Sequence, residues 1–322
     1  MNDALTIGSL AVERGQKLRS WLPVPGTSIQ LPLTLIHGAR PGPTLLVTGG
    51  IHGGEYPGIE AAIQLARTLD PATLSGSTIV VSIASPTAFQ ARMQYRVPED
   101  GLNLNRQFPG RATGTISQRL AACVMAELAS RADAWVDLHG GDIHEELEPF
   151  TIYSAGAAAT VRDESAKLAA AYGIRYTVES DSVRGGTYGA AAAMNLPCIL
   201  TEAGGGGQLD PIKQAVHSRG LQNVLRALKI LPDAPEAVEP VTLLRTFQVV
   251  ISEHAACWYP AVRAGDTVRQ GQPLGELRDY FGDTVAQLAA PLAGVVLYRV
   301  TSLAVDPGDP LVGIGAEGGS GR

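Results

Sequence analysis

A chain of 322 residues, 45% hydrophobic and 17% charged, with 37 glycines and 21 prolines, is long enough for a large core and reads as globular and loop-rich, neither disordered nor fibrous. Its formal net charge of −6 supplies no basic surface to replace phosphate counterions, which argues against nucleic acid or an anionic membrane as partner. Cys123, Cys198 and Cys257 are few and widely spaced, so neither a disulfide framework nor a cysteine metal cluster is expected, and a reducing cytoplasm fits.

The opening segment MNDALTIGSLAVERGQK has no basic stretch followed by an apolar run, so no export signal is expected. No apolar stretch reaches the ~20 residues a bilayer span requires. From residue 44 onward, short β-branched runs alternate with amphipathic stretches. TLLVTGG (44–50), STIVVSIAS (77–85), ADAWVDLHG (132–140), FTIYSAG (150–156) and PCILTEAGG (197–205) predict buried strands. Helices are predicted from Pro57 through PGIEAAIQLARTLD, and from Thr115, where Thr115 and Gln118 have capping-box spacing, through RLAACVMAELASRA. This alternation implies an α/β sheet with helices on both faces, whose chemistry sits at the carboxyl ends of the strands.

Three prolines and three acids in LPDAPEAVEP (231–240) mark a linker. Beyond it, short strands punctuated by Gly, Pro and Asp predict a small all-β module. The expected organisation is therefore a catalytic domain over residues 1–235 and a β-rich domain over 236–322, with the tail GAEGGSGR fraying.

Polar residues cluster at the predicted strand ends. His52 and Glu55 stand three apart in GGIHGGEYPG, where two glycines suggest a tight turn around something small. Imidazole nitrogen with carboxylate oxygen suits zinc. The spacing alone is not selective, since His139 and Asp142 repeat it. His139, at the tip of AWVDLHGG, would complete two histidines and one glutamate, a set that leaves one zinc position open for catalysis. Asp137 is open to two readings, a hydrogen-bond acceptor behind a ligand or a strand-end cap. Glu202, in CILTEAGGGG, is an acid at the end of an apolar strand, suited to taking a proton from water and returning it to a leaving group. YRVPEDGLNLNRQFPG concentrates Arg96, Asn103, Asn105, Arg106 and Phe108 in a predicted loop, where arginine and asparagine offer the donors that bind a carboxylate. His144, among acids in DIHEELEPF, reads as solvated, and His37, His217 and His254 have no partner motif.

His52-x-x-Glu55, Asn105-Arg106, His139 and Glu202, in this order, resemble the succinylglutamate desuccinylase and aspartoacylase family, itself similar to the zinc carboxypeptidases. The motifs span about residues 40–210. The resemblance implies a mixed, mostly parallel sheet of zinc carboxypeptidase type followed by a small barrel-like β domain. It implies one Zn2+ held by His52, Glu55 and His139, a substrate carboxylate held by Asn105 and Arg106, and Glu202 as general base. Arg96 resembles the arginine that polarises the scissile carbonyl. Aspartoacylases carry a further substrate arginine shortly before the glutamate, and here the nearest candidate, Arg184, lies well upstream.

AGDTVRQGQPLGEL and APLAGVVLY resemble the lipoyl and biotinyl barrel, but no lysine follows Lys229 to carry a cofactor. A wall of the cleft is the expected role, with Tyr280 placed to reach the substrate. The expected function is zinc-dependent removal of an N-acyl group from a small carboxylate-bearing amino acid derivative. A carboxypeptidase or ester hydrolase stays open with the same centre, as does a metal-free carboxylate-binding protein. A small-molecule substrate is the expected partner, with room for a homo-oligomer.

Overall fold

In the computed structural model, which describes residues 4–318, a mixed sheet runs through the centre of the chain. From edge to edge its strands are Thr242–Leu244, Tyr176–Glu179, Phe150–Tyr153, Cys198–Glu202, Ala134–His139, Arg40–Gly49, Ser75–Val81, Gln30–His37 and Gln16–Pro23. The first three are mutually parallel, as are the four from Cys198–Glu202 to Ser75–Val81. Cys198–Glu202 runs antiparallel to Phe150–Tyr153, and the last two strands join antiparallel.

The expected strands are present, but they end earlier than the apolar runs suggest, with the mostly small Gly, Ala and Ser residues after them lying in loops. Their continuous hydrophobicity has a direct cause in packing. Leu45, Val47, Val136, Leu138 and Ile199 face one layer with residues of the helices Tyr56–Thr68, Ala159–Tyr172 and Pro211–Ala227. The alternating positions Leu46, Trp135, Cys198 and Leu200 face the other, with residues of Ile116–Cys123 and Thr187–Ala193. A strand buried on both faces needs an apolar residue at every position, each worth about 2 kcal/mol when fully covered.

Pro57 sits in the first turn of its helix, where its missing N–H loses nothing. Thr115 and Gln118 form both bonds of the capping box. The helix they start is shorter than the amphipathic run, since Ile116–Cys123 passes into a π turn at Val124–Leu128 and a 3-10 turn at Ala129–Arg131.

After residue 240 the chain forms antiparallel sheets around Trp258, Leu274, Leu277, Val296, Leu311 and Ile314. The two parts of the chain exchange strands. Thr242–Leu244 joins the edge of the central sheet, while Glu145–Leu147, between the predicted strands at 132–140 and 150–156, pairs with Gly294–Val300. The linker lacks regular elements yet is held, with the Glu236 N–H donating to Asn223 Oδ1 at 2.9 Å and the Glu236 carboxylate paired with Arg226 at 2.9 Å. Of the tail expected to fray, Gly315 and Ala316 lie in the last strand, and 319–322 lie outside the described residues. Among the described residues no helix is long and apolar enough to cross a membrane.

Candidate active site

Three neighbouring parallel strands bring the polar residues to one end of the sheet. Thr48 and Leu200 flank Asp137 in register, and His139 lies beside Glu202. The strand Arg40–Gly49 leads into the turn that carries His52 and Glu55, just before the helix Tyr56–Thr68. The glycines of that turn are also required by crowding from neighbouring segments. A Cβ on Gly53 would fall 2.3 Å from the Phe89 nitrogen, and one on Gly54 would fall 2.4 Å from Asp142 Oδ1.

His52, Glu55 and His139 are all buried, and they offer ligand atoms within 4.8 Å of one another. His52 Nδ1 lies 2.7 Å from Glu55 Oε1, and His139 Nδ1 lies 3.0 Å from Glu55 Oε2. The far nitrogens are each engaged by an acceptor. His52 Nε2 lies 3.1 Å from Asn103 Oδ1, and His139 Nε2 lies 3.0 Å from Asp137 Oδ2. An Nε2 that donates outward leaves Nδ1 as the metal-binding atom on both rings. Asp137 is itself fixed. The hydroxyl of Thr48 donates to its Oδ1 at 2.6 Å while accepting from Trp135 Nε1 at 2.8 Å, and the hydroxyl of Thr187 donates to Oδ2 at 2.6 Å. Asp142, which shares the sequence spacing with His139, holds a loop instead, accepting the N–H groups of Tyr95 and Ile143.

The donor set fits a small divalent cation. Glu55 Oε2 is buried and has no hydrogen-bond partner, although an imidazole nitrogen is close. Burial pushes the Glu55 carboxyl up, but the charges of His52 and His139 outweigh it and hold the group down at about 2. Burial disfavours charge on His139, yet Asp137 and Glu55 raise its pKa well above the usual imidazole range. A carboxylate held ionised between two imidazoles suits a cation that takes the place of their protons.

Beside these residues lies a cavity of 480 Å³, within the range of small-molecule sites. Glu202 lines it with Oε2 buried and unpartnered. Burial raises the Glu202 pKa well above the carboxylate range, and the charges of Glu55 and Glu145 add to the rise while His139 opposes it. Asn105 and Arg106 line the same cavity. Asn105 Oδ1 accepts the Thr187 N–H at 3.0 Å, which leaves the amide nitrogen as the end that can donate to a ligand. Arg96 also borders the cavity, with Nη1 bonded to the Gly101 carbonyl at 3.0 Å.

Two expected substrate contacts are not brought together with the rest. Tyr280 is 78% exposed next to Phe281, between the strands Pro273–Arg278 and Thr284–Ala289, and it does not border the cavity. An antiparallel hairpin extends such a tip into solvent. Arg184 is exposed too; its neighbours Ser182 and Val183 reach the cavity, but it does not. Asn103, of the polar loop, borders the cavity as well, and Glu145 and Tyr298 border it without having been singled out. Glu145 looked like part of a solvated acidic run. Its true setting depends on pairing with a strand about 150 residues away, for which local sequence carries no signal.

The geometry has parallels among known proteins. Residues 41–228 match the family described as the succinylglutamate desuccinylase/aspartoacylase catalytic domain. The chain is 29% identical over 294 residues to an N-alpha-acetyl-L-2,4-diaminobutyric acid deacetylase of Halomonas elongata, spanning 88% of this chain and 85% of that protein. It is similar to the product-bound structure of an ectoine utilization protein from Ruegeria pomeroyi, with a TM-score of 0.87 and 27% identity over 98% of this chain and 99% of the other. A succinylglutamate desuccinylase/aspartoacylase from Rhodobacter sphaeroides gives 0.84 and 25% identity over 96% and 98%.

Proposed function

Because this chain belongs to the succinylglutamate desuccinylase/aspartoacylase family, we propose that it is a zinc-dependent hydrolase that removes an acyl group from the nitrogen of a small amino acid derivative bearing a carboxylate. The observation that supports this most is the meeting, at one cavity, of the buried His52, Glu55 and His139 cluster with Glu202 and with Asn105 and Arg106. The Halomonas relative acts, by its name, on an N-acetyl amino acid, which fits the same class.

His52, Glu55 and His139 would hold the zinc through two Nδ1 atoms and the Glu55 carboxylate. When bound, zinc supplies a Lewis acid that lowers the pKa of water toward ~7 and offsets charge on the carbonyl oxygen. Glu202 takes one proton from the attacking water. Its raised pKa suits a group that must also give the proton back. A carbon–oxygen bond forms, the amide carbon–nitrogen bond breaks, and Glu202 delivers the proton to the departing amine. Asn105 and Arg106 hold the substrate carboxylate so that carbonyl and water start close together. Arg96, at the cavity edge, adds positive charge near the developing oxyanion.

The test is turnover of zinc-loaded protein on short N-acyl amino acids, peptides with free carboxyl ends and simple esters. Release of free amino acid from the first class is expected to dominate. Dominant peptide or ester cleavage would replace this reading with a carboxypeptidase or an esterase.

A further inference from the structure

We propose that the cavity holds an apolar acyl chain longer than acetyl against Phe150, Ile152, Leu200, Phe247 and Val249, so that the group removed is an unbranched alkanoyl rather than a succinyl group. This rests on the deacylase reading above and names its acyl class.

The sheet register builds the wall. In the antiparallel pair of Cys198–Glu202 with Phe150–Tyr153, Glu202 stands directly opposite Phe150, and Leu200 directly opposite Ile152. Facing residues of such a pair share one side of the sheet, as do residues two apart along either strand. The proposed base therefore stands at the end of an apolar patch made by Leu200, Ile152 and Phe150, all of which border the cavity. Phe247 extends the patch, its ring centroid 6.3 Å from that of Phe150. Val249 follows at the next position facing the same way, borders the cavity too and is 39% exposed. An apolar surface that starts beside a catalytic carboxyl and ends at solvent gains cover only when a ligand lies on it.

The chemistry of the substrate decides which part lies there. An amino acid side chain leaves from the carbon that bears the carboxylate, so it starts near Asn105 and Arg106. Those two residues meet a different segment, with the Thr187 N–H bonded to Asn105 and Gly185 packed against the Arg106 carbonyl. The acyl chain leaves from the carbonyl carbon, where Glu202 works, so it starts beside Phe150. A succinyl chain would bring a second carboxylate onto this wall. The arginines bordering the cavity are Arg96, assigned to the oxyanion, and Arg106, assigned to the substrate carboxylate, while the acids Glu145 and Asp309 border it and would repel another anion. A carboxylate covered without a partner is costly, whereas each methylene taken out of water raises affinity up to about fourfold.

Titration calorimetry of zinc-loaded protein with acetate, butyrate, hexanoate and succinate reads the wall without turnover. The kcat/KM values for the N-acetyl, N-butyryl, N-hexanoyl and N-succinyl derivatives of one amino acid read it in catalysis. The six-carbon chain is expected to exceed the two-carbon chain at least about tenfold in both, with succinyl below butyryl. The ratio of hexanoyl to acetyl should fall at least about threefold in Phe247→Ala and in Val249→Asn, and because it is taken within one preparation, partial unfolding cancels. A flat or falling series, a preference for succinyl, or a ratio unchanged in both variants overturns the proposal. N-acetyl norleucine and N-acetyl alanine test the other source of an apolar group. A preference for norleucine with a flat acyl series would give the wall to the amino acid side chain and overturn the acyl assignment. Graded binding of the alkanoates without hydrolysis of any derivative would leave the wall standing and sink the deacylase reading. Equal hydrolysis of all the derivatives would do the reverse.

Discussion

The hydroxyl of Thr187 donates to Asp137 at 2.6 Å, on the same carboxylate oxygen that faces His139 Nε2. Through its N–H, Thr187 also fixes Asn105. One residue thereby ties the orientation of a proposed metal ligand to that of a proposed substrate contact. Thr187→Val removes the hydroxyl and keeps the N–H, so it isolates the first link. Zinc affinity, measured by competition with a chromophoric chelator, is expected to fall about 10- to 100-fold, with recovery in Thr187→Ser. Parental affinity in the valine variant would show that the hydroxyl does not position His139.

Glu202→Gln keeps the shape of the side chain and removes its ability to accept and return a proton. Turnover of an N-acetyl amino acid should drop about 10²- to 10⁴-fold, with zinc content and thermal unfolding unchanged. Near-parental turnover would leave the reaction without the base assigned here.

Arg106→Ala removes one of the two groups that would hold the substrate carboxylate. KM for an N-acetyl amino acid is expected to rise about tenfold to 100-fold, the range for a hydrogen bond to a charged group. The matched substrate with its carboxylate converted to an amide should be handled equally by parent and variant. An equal loss on both substrates would mean that Arg106 serves something other than the carboxylate.

The legible parts of this site were those carried by short-range sequence. His139 and Glu202 end apolar strands that lie in register, His52 and Glu55 stand in the turn after another, and all lie at the same end of the sheet. What was hidden depends on distant pairing. The edge strand Gln16–Pro23 and its neighbour Gln30–His37 lie ahead of the clear alternation that begins near residue 44, and the first of them alternates weakly because it is half exposed. Asn103 and Thr187 become significant only through hydrogen bonds to residues dozens of positions away. The position of Tyr280 was not legible for a related reason, since a hairpin aromatic looks the same in sequence whether its tip folds inward or stands in solvent.

Removing zinc by dialysis against a chelator should abolish hydrolysis and lower the melting temperature, with both restored by stoichiometric zinc. The stability change follows from mass action, since a metal held by His52, Glu55 and His139 would bind only a chain folded so that these three side chains meet. Binding must displace protons from imidazole, so zinc affinity should weaken as pH falls, as His139 with its raised pKa competes more strongly for its proton. A melting temperature unaffected by chelation in protein shown to have lost its metal would argue against a cation among these three side chains.

His217 makes stability depend on pH in a defined window. It is fully buried, its Nδ1 lies 2.8 Å from the Tyr172 hydroxyl, and its Nε2 lies 3.2 Å from the Ala203 carbonyl, one residue beyond Glu202. Burial lowers its pKa from 6.5 to about 4, with bonding to the Ala203 carbonyl opposing the fall. In the unfolded chain the imidazole takes up a proton below ~6.5, while the folded chain stays neutral down to about 4. The unfolded state therefore binds more protons across that interval, and this contribution is fully present above pH ~6.5 and lost as pH falls toward ~4. The two values correspond to at most about 3 kcal/mol. Urea unfolding from pH 7 to 4.5 should show the parent losing more stability than His217→Gln, which starts less stable but does not titrate. Equal slopes for the two proteins would place the acid sensitivity elsewhere and show that His217 is protonated in the folded chain well above the expected range.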